Sequence, residues 1–249
     1  MSAPAQQGAG SGRILVGCAG WNLRKEHFDA FPAGGSHLER YASVFPAVEI
    51  NSSFYRPHKP ETYARWADSV PDAFRFAVKV PRAISHDARL GECGPQLAQF
   101  AREAGRLGDK LGCLLVQLPP KFGFTDEPAR GFFGQLQELF GCMIAFEARH
   151  PSWFSEPATE LLRERRVVRV IADPPAGQPG PHQPTSEEGV YMRLHGAPRI
   201  YYSRYPREAI AEVRRELDAQ AAAGRTCWCI FDNTAAGESV PNALELMHG

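Results

Sequence analysis

Val190-Tyr-Met-Arg-Leu-His195 is a short apolar run that ends in a polar side chain, and runs of this kind decide the fold of the chain. Val190, Met192 and Leu194 alternate with Arg193, which is the period-two pattern of a β-strand with one apolar face. The apolar face would pack under a helix, and the other face would line an interior.

Eight such runs recur along the chain at the spacing of βα units. They occupy residues 13–18, 47–51, 74–79, 113–117, 143–147, 167–173, 190–195 and 227–233. Most successive runs are separated by a stretch that could hold one amphipathic helix, and eight such units in 249 residues are typical of a (β/α)8 barrel. We therefore predict an α/β fold with one TIM-barrel domain over residues 13–249.

Long βα loops are predicted after the first, third, sixth and seventh strands. The sixth unit is the weakest, because residues 174–188 are rich in proline and leave room for at most one turn of helix. Residues 1–12 form a Gly/Ala/Gln/Ser tail that we predict to be disordered, without the apolar segment of a signal peptide.

The composition limits the classes of partner. Twenty-eight basic and 28 acidic side chains give a formal net charge of zero at pH 7, so bulk nucleic-acid binding is not expected, although a local basic pocket remains open. No apolar stretch approaches the roughly 20 residues that span a bilayer, so no membrane partner is expected. The six cysteines include no CxxC pair and favour a reducing, cytoplasmic setting.

Side-chain alternation gathers polar residues on the inward face of the strands. In the second run, for example, Val48 and Ile50 alternate with Glu49. Inward residues near the carboxyl ends of barrel strands line the active face. The residues expected to converge there are Glu49, Lys79, Gln117, Glu147, Arg193 and His195. Asp173 and Asp232 lie at or next to the ends of runs with less regular alternation and are candidates for the same cavity.

Two carboxylates and two cations in a low-dielectric space suit general acid/base chemistry. Such a set can separate into an acid of raised pKa and an ionised base, and Glu49 and Glu147 are the candidates for this pair. Lys79, Arg149 and Arg193 would then hold an anion or stabilise developing negative charge. The structural alternative is a self-neutralising ion network, which we weigh below catalysis because the charges lie at the carboxyl ends of so many strands.

Metal binding is a second interpretation of the same residues. Glu49, Glu147, Asp173, Asp232 and His195 include the ligand types of magnesium, manganese and zinc. Lys79, Arg149 and Arg193 would bring competing positive charge, so no cofactor is predicted and a divalent metal remains the alternative.

The loop that follows the eighth run is a candidate anion site. Asp232-Asn-Thr-Ala-Ala-Gly-Glu-Ser239 leads into the last predicted helix, whose free N–H groups would face the active end. An equally weighted interpretation is an ordinary helix start with Ser239 or Thr234 as the N-cap.

Aromatic residues also crowd the predicted loops. As a group, beside several arginines, they suggest a sugar-like or nucleotide-like ligand, whereas each one alone is better explained by loop packing. They are Trp21, Phe54, Tyr55, Trp153, Tyr201, Tyr202 and Tyr205.

Seven motifs together resemble the YecE-like family, also called domain of unknown function 72, over about residues 13–247. They begin at Gly17, Val48, Phe74, Leu114, Phe146, Val190 and Phe231, and the longest reads Val48-Glu-Ile-Asn-Ser-Ser-Phe-Tyr-Arg56. The resemblance implies a TIM barrel and supplies no reaction. Its motif residues are Glu49, Asn51, Tyr55, Lys79, Gln117, Glu147, Arg149, Arg193, His195, Asp232 and Asn233.

The sequence thus favours an enzyme that acts on a small anionic, sugar-like or nucleotide-like ligand. Catalytic candidates are Glu49, Glu147, Lys79, Arg193, His195 and Asp232, and substrate-binding candidates are Asn51, Tyr55, Gln117, Arg149, Asn233 and Thr234. The reaction class stays open between hydrolase, lyase and isomerase. The alternatives are a noncatalytic barrel that binds a nucleotide or an RNA end, and a metal-dependent phosphoesterase or isomerase. No oligomeric state is predicted.

Overall fold

The structure is a computed structural model that describes residues 12–248. Within these residues the strands are β1 Ile14–Cys18, β2 Ala47–Ile50, β3 Arg75–Lys79, β4 Leu111–Gln117, β5 Met143–Glu147, β6 Val168–Arg169, β7 Ile171–Asp173, β8 Gly189–Leu194 and β9 Thr226–Phe231. The α-helices are α1 His37–Ala42, α2 Pro60–Asp68, α3 Gly94–Ala104, α4 Asp126–Leu139, α5 Glu156–Glu164, α6 Arg207–Ala222 and α7 Ser239–His248.

All strand pairs are parallel, and the strands form two sheets ordered β1-β9-β8-β7 and β2-β3-β4-β5-β6. Helices alternate with most of the strands. This arrangement is the α/β, TIM-barrel-like fold predicted from the eight runs.

The sixth predicted strand is divided, which corrects the single run over residues 167–173. β6 pairs with β5 and β7 pairs with β8, with the break at Val170. The Val170 N–H still donates to the Phe146 carbonyl, at 2.9 Å. The two halves of this run therefore carry the chain from one sheet to the other.

The other junction between the sheets lies between β1 and β2. There the Tyr41 hydroxyl accepts a hydrogen bond from the Cys18 N–H (2.7 Å) and donates one to the Ala47 carbonyl (3.0 Å). The strands approach closely at Gly17, where a Cβ would lie 2.1 Å from the Ala47 carbonyl oxygen. A tyrosine side chain from α1 thus replaces a ladder hydrogen bond, and it is fully buried.

Two apolar layers lie on opposite faces of the strands. The outer layer packs against the helices, and α3 contributes Leu97, Phe100 and Ala104 to it at the spacing of one helical face. The inner layer contains Leu15, Ala47, Ala77, Cys113, Leu115, Ala145, Val168, Val170, Tyr191, Trp228 and Ile230. Tyr191 and Trp228 stack within it, with their ring centroids 5.8 Å apart. This apolar interior forms the floor beneath the polar strand ends.

The predicted long loops are present after β1, β3, β7 and β8, and no helix forms within residues 174–188. Gly12, the last residue of the predicted disordered tail, donates its N–H to the Ala221 carbonyl at 2.8 Å. The rest of that prediction, residues 1–11, lies outside the described residues. All six cysteines are free. None of the helices in residues 12–248 is long and apolar enough to cross a membrane.

Replacing Tyr41 by phenylalanine should lower the free energy of unfolding by about 2 kcal/mol, because two buried backbone groups would lose their partner. Urea denaturation measures this loss. Tyr55→Phe is the control, since Tyr55 is 76% exposed and should change stability by less than about 0.5 kcal/mol. Equal urea midpoints for Tyr41→Phe and the parent protein would contradict the role of the hydroxyl.

Candidate functional site

Arg193 is the centre of a buried ionic cluster at the carboxyl-terminal ends of the strands. Its Nε and Nη2 donate to the two oxygens of Glu49, at 3.0 and 2.7 Å. Its Nη1 donates to Glu147 Oε2 at 2.8 Å, and Nη2 also lies 3.1 Å from Asp232 Oδ2. We call Arg193, Glu49, Glu147 and Asp232 the Arg193 cluster, and we call the strand ends that surround it the barrel mouth.

The strand pattern explains why these four side chains meet. Glu49 lies on β2, Glu147 ends β5, Arg193 lies on β8 and Asp232 directly follows β9. Each stands two residues beyond an inner-layer residue, namely Ala47, Ala145, Tyr191 and Ile230. Since side chains two apart on a strand share a face, the inward direction predicted from the sequence is confirmed.

Electrostatics keeps Arg193, Glu147 and Asp232 ionised despite their burial. Burial opposes the charge of Arg193, but Glu49, Asp232 and Glu147 hold the pKa of its guanidinium well above the usual value. Burial would raise the pKa of Glu147, yet Arg193, His195 and Arg149 hold it well below its usual value. In the same way Arg193 and His195 outweigh burial and lower the pKa of Asp232.

Glu49 is bound to the floor of the interior as well as to Arg193. It is fully buried, and Glu49 Oε2 also accepts a hydrogen bond from the Tyr191 hydroxyl at 2.9 Å. Burial and Glu49 raise the pKa of Tyr191 well above its usual value, so the hydroxyl stays protonated and donates. Between them, Tyr191 and Arg193 therefore donate hydrogen bonds to both oxygens of Glu49. Sequence reasoning missed Tyr191, although it has the same strand alternation as Arg193.

His195 lies above the cluster and is paired with Asp232. Its Nδ1 is 3.0 Å from Asp232 Oδ2, and an ionised carboxylate only accepts, so Nδ1 carries the proton of the neutral ring. Its Nε2 lies 3.5 Å from Glu147 Oε1 and has no hydrogen-bond partner within residues 12–248. Burial lowers the pKa of His195, but Asp232 and Glu147 outweigh it and raise the value overall.

Three further predicted residues lie around the mouth. Arg149 donates from Nε to Glu147 Oε1 at 2.9 Å, and its Nη2 lies 2.7 Å from the same oxygen. Gln117 is buried at the end of β4. Lys79, at the end of β3, is 6% exposed, and its Nζ lies 4.4 Å from the centroid of the Phe54 ring. Burial and Arg193 lower the pKa of this amine to about 8, against the opposing effect of Glu49, Glu147 and Asp232.

The predicted substrate-binding residues do not all reach the mouth. Asn51 and Thr234 line a neighbouring cleft, described below. The Asn233 amide nitrogen donates to the Ser203 carbonyl and to Asn242 Oδ1, both at 3.0 Å, and so ties its loop to α7. Tyr55 is largely exposed and packs edge-on against Phe54. Asp173 and Ile171 lie on one face of β7, and Ala172, which packs against the inner layer, lies on the other. Asp173 therefore points away from the interior, in contrast to its predicted place in the cavity.

A cleft of about 590 Å³ adjoins the cluster between β1, β2 and the start of α7. Arg24, His27 and His37 line it together with Asn51 and Thr234, whereas the members of the Arg193 cluster do not. Sequence reasoning missed these three basic residues, because they come from the long loop after β1 and the first turn of α1. Their position in the cleft depends on how that loop packs against the loop after β9, and the sequence pattern does not show this packing.

Two of the seven predicted loop aromatics pack their loops onto the barrel. Trp153 is buried and donates from Nε1 to the Phe122 carbonyl, and Tyr205 is buried with its hydroxyl donating to the Asp173 carbonyl. Tyr201 differs, because its ring meets His195 edge-on at 5.8 Å and its backbone has φ +70°. A bulky residue in this left-handed region is strained, and such strain clusters at functional sites.

The acidic residues of the mouth are directed onto cations. Among residues 12–248, no group of three or more histidine, cysteine, aspartate and glutamate side chains is arranged to hold a metal ion. Glu49, Glu147 and Asp232 instead share the guanidinium of Arg193.

Comparison with known proteins finds a family whose model matches nearly the whole chain. The family model described as "Protein of unknown function DUF72" matches residues 15–249. UPF0759 protein YecE of Escherichia coli strain K12 is 35% identical over 166 residues, which cover 64% of this chain and 59% of that protein. The match therefore spans less than two thirds of YecE. UPF0759 protein YunF of Bacillus subtilis strain 168 is 23% identical, with 94% and 93% covered.

Solved structures share the fold over almost the whole chain. A DUF72 family protein from Enterococcus faecalis V583 superimposes with a TM-score of 0.79 at 25% identity and covers 94% of each chain. A DUF72 family protein from Thermotoga maritima MSB8 has the same TM-score at 22% identity, covering 95% of this chain and 98% of that one. The predicted family resemblance and the predicted fold class are confirmed.

Replacing Arg193 by methionine should lower the free energy of unfolding by about 3–5 kcal/mol, because three buried carboxylates would lose their shared cation. Urea denaturation at neutral pH measures the loss, with Arg56→Met as the control at an exposed arginine. A loss below about 1 kcal/mol would mean that the cluster does not hold the strands together.

The ionic groups of the mouth should contribute most to stability in mildly acidic solution. Glu147 and Asp232, with lowered pKa values, contribute stability that is present above their ordinary values of 4.5 and 3.8 and lost as pH falls. His195, with a raised pKa, contributes stability that is present below its ordinary value of 6.5 and lost as pH rises through the folded value.

Urea denaturation across a pH series measures both the loss of stability as pH falls and the loss as pH rises. Glu147→Gln should be less stable than the parent near neutral pH, and the difference should shrink on acidification. A constant difference at every pH would contradict the lowered pKa of Glu147.

Proposed function

The chain belongs to the DUF72 family, and from the geometry of its mouth we propose that it is an enzyme that transfers a proton to or from a small anionic substrate. His195 is the general acid/base in this proposal, and Asp232 orients it. One observation carries the assignment: the imidazole is held at Nδ1 by Asp232, while Nε2 has no hydrogen-bond partner within residues 12–248.

This pairing meets the requirements of acid/base catalysis. Asp232 and Glu147 raise the pKa of His195 above its ordinary value of 6.5. Histidine is the side chain whose charge changes most readily near physiological pH, so it can both give and take a proton. The aspartate fixes the tautomer, so that the lone pair of the neutral ring lies on Nε2. The ring of Tyr201, whose backbone is strained, packs edge-on against the same imidazole.

We assign the predicted carboxylate pair a different role. The pKa of Glu147 is held low, so it stays ionised rather than acting as a proton donor. Glu49 is fully buried, and Arg193 and Tyr191 engage its oxygens. In this proposal the two glutamates balance Arg193, and Glu147 together with Asp232 raises the pKa of His195.

Charge balance favours an anionic substrate. Three carboxylates, Glu49, Glu147 and Asp232, are matched by Arg193, Arg149 and Lys79 when His195 is neutral. Protonation of His195 leaves one excess positive charge in a buried site, and a bound anion would compensate it. The adjoining cleft, with Arg24, His27 and the first turn of α7, suits a second polar group of the same substrate.

The first experiment detects proton transfer without knowledge of the substrate. The protein is incubated in D₂O with a panel of small carboxylated and phosphorylated carbonyl compounds, and ¹H NMR follows the loss of carbon-bound hydrogen. We expect exchange in at least one compound, with a rate that falls about 100-fold or more in His195→Asn. His248→Asn, at an exposed histidine, is the matched control and should keep the parent rate.

A second measurement tests the anion directly. Inorganic phosphate should raise the pKa of His195 further, which NMR titration of its ring resonances detects. An unchanged His195 pKa would contradict the anion-binding part of the proposal. Binding that is strongly salt-dependent and unimpaired in His195→Asn, without exchange, would instead favour the noncatalytic nucleotide-binding alternative.

A further inference from the structure

Lys79 differs from the other lysines of the chain in its surroundings. The chain has five lysines, and Lys25, Lys59 and Lys121 are exposed. Lys110 is partly buried, but its Nζ donates to the Ala67 and Val70 carbonyls, both at 2.7 Å, and lies 3.6 Å from Asp72. Lys79 is more deeply buried than Lys110, yet its amine has no hydrogen bond or salt bridge to any residue between 12 and 248.

The neighbours of Lys79 leave it largely buried without supplying a close counterion. The amine lies over the face of Phe54, and His86 packs edge-on against the same ring at 4.9 Å. Arg193 adds a nearby positive charge. The acidic groups that attract the amine, Glu49, Glu147 and Asp232, are already bound to Arg193.

An amine in such a place is chemically activated. Burying an ammonium without a paired carboxylate is costly, so the neutral form becomes accessible. With its pKa lowered to about 8, roughly a tenth of the amine is neutral at pH 7. A desolvated lysine beside another cation is the arrangement that makes lysine a nucleophile toward carbonyl carbon.

We propose that Lys79 forms an imine with the carbonyl carbon of an aldehyde or ketone that also carries an anionic group. This inference rests on the proposed function of the same mouth and names its substrate class. In this proposal the anionic group of the substrate lies near the cationic side chains of the mouth, and its carbonyl carbon lies next to Lys79 Nζ.

The step balances with the groups present. The neutral amine attacks the carbonyl carbon, a C–N bond forms, and the π electron pair moves to oxygen. The amine loses two protons in all and the oxygen leaves as water, so that a C=N bond replaces C=O. His195 directly follows β8 at the same mouth, and in this proposal it relays these protons.

Reductive trapping tests the imine on the intact protein. The protein is incubated with glyoxylate and sodium cyanoborohydride near neutral pH, digested, and mapped by mass spectrometry over all five lysines. At early times we expect at least tenfold more adduct at Lys79 than at Lys25, Lys59, Lys110 or Lys121. Labelling that follows exposure, with Lys79 unmodified, would overturn the inference, and this readout needs no variant to fold.

Variants then separate Lys79 from the bulk amines. Lys79→Arg keeps the charge and should abolish the dominant adduct, whereas Lys121→Arg, at an exposed lysine, should leave it unchanged. Acetaldehyde replaces glyoxylate as the uncharged probe and should label Lys79 at least tenfold less. Equal labelling by the two aldehydes would remove the anionic group from the substrate class.

The phosphate titration of His195 distinguishes this inference from the proposed function. If His195 responds to phosphate but Lys79 is not trapped, the imine is excluded and the proton-transfer proposal stands. If Lys79 is trapped while His195 neither responds nor affects exchange, the imine stands and the role assigned to His195 is excluded.

Discussion

The shared guanidinium of Arg193 is the interaction on which the rest of the mouth depends. Arg193 lies in the four-stranded sheet and Asp232 directly follows its strand β9, whereas Glu49 and Glu147 lie in the five-stranded sheet. The cluster therefore joins the two sheets across the interior. The cluster lies close to the junctions at Tyr41 and Val170, where few backbone hydrogen bonds connect the two sheets.

Such a cluster is not the arrangement that stability alone would favour. Removing charges from water costs several kcal/mol per ion, and apolar residues of similar volume often serve a core as well or better. The layer directly below, with Ala47, Ala145 and Ile230, shows that the same strands carry an apolar interior elsewhere. The change from apolar to ionic side chains two residues later concentrates fixed charge where barrels place their chemistry.

Much of this site could be predicted from alternation in the sequence. The inward directions of Glu49, Lys79, Gln117, Glu147 and Arg193 follow from a period-two pattern that each strand carries locally. The interruption at Val170 could not be predicted, since residues 167–173 read as one continuous apolar run. The contribution of Arg24 and His27 to the cleft was also hidden, because it depends on how two distant loops pack.

The sequence by itself determined the family, the strand count to within one division, and which side chains face the interior. Only the tertiary structure decided how those charges pair. Arg193 and its partner Glu49 are 144 residues apart, and local patterns carry no information about partners at such a separation. Within residues 12–248, His195 Nε2 has no hydrogen-bond partner, and the three nearby carboxylates form salt bridges to Arg193 rather than to Lys79. His195 and Lys79, rather than the predicted glutamate pair, are the reactive groups of the proposed mechanism.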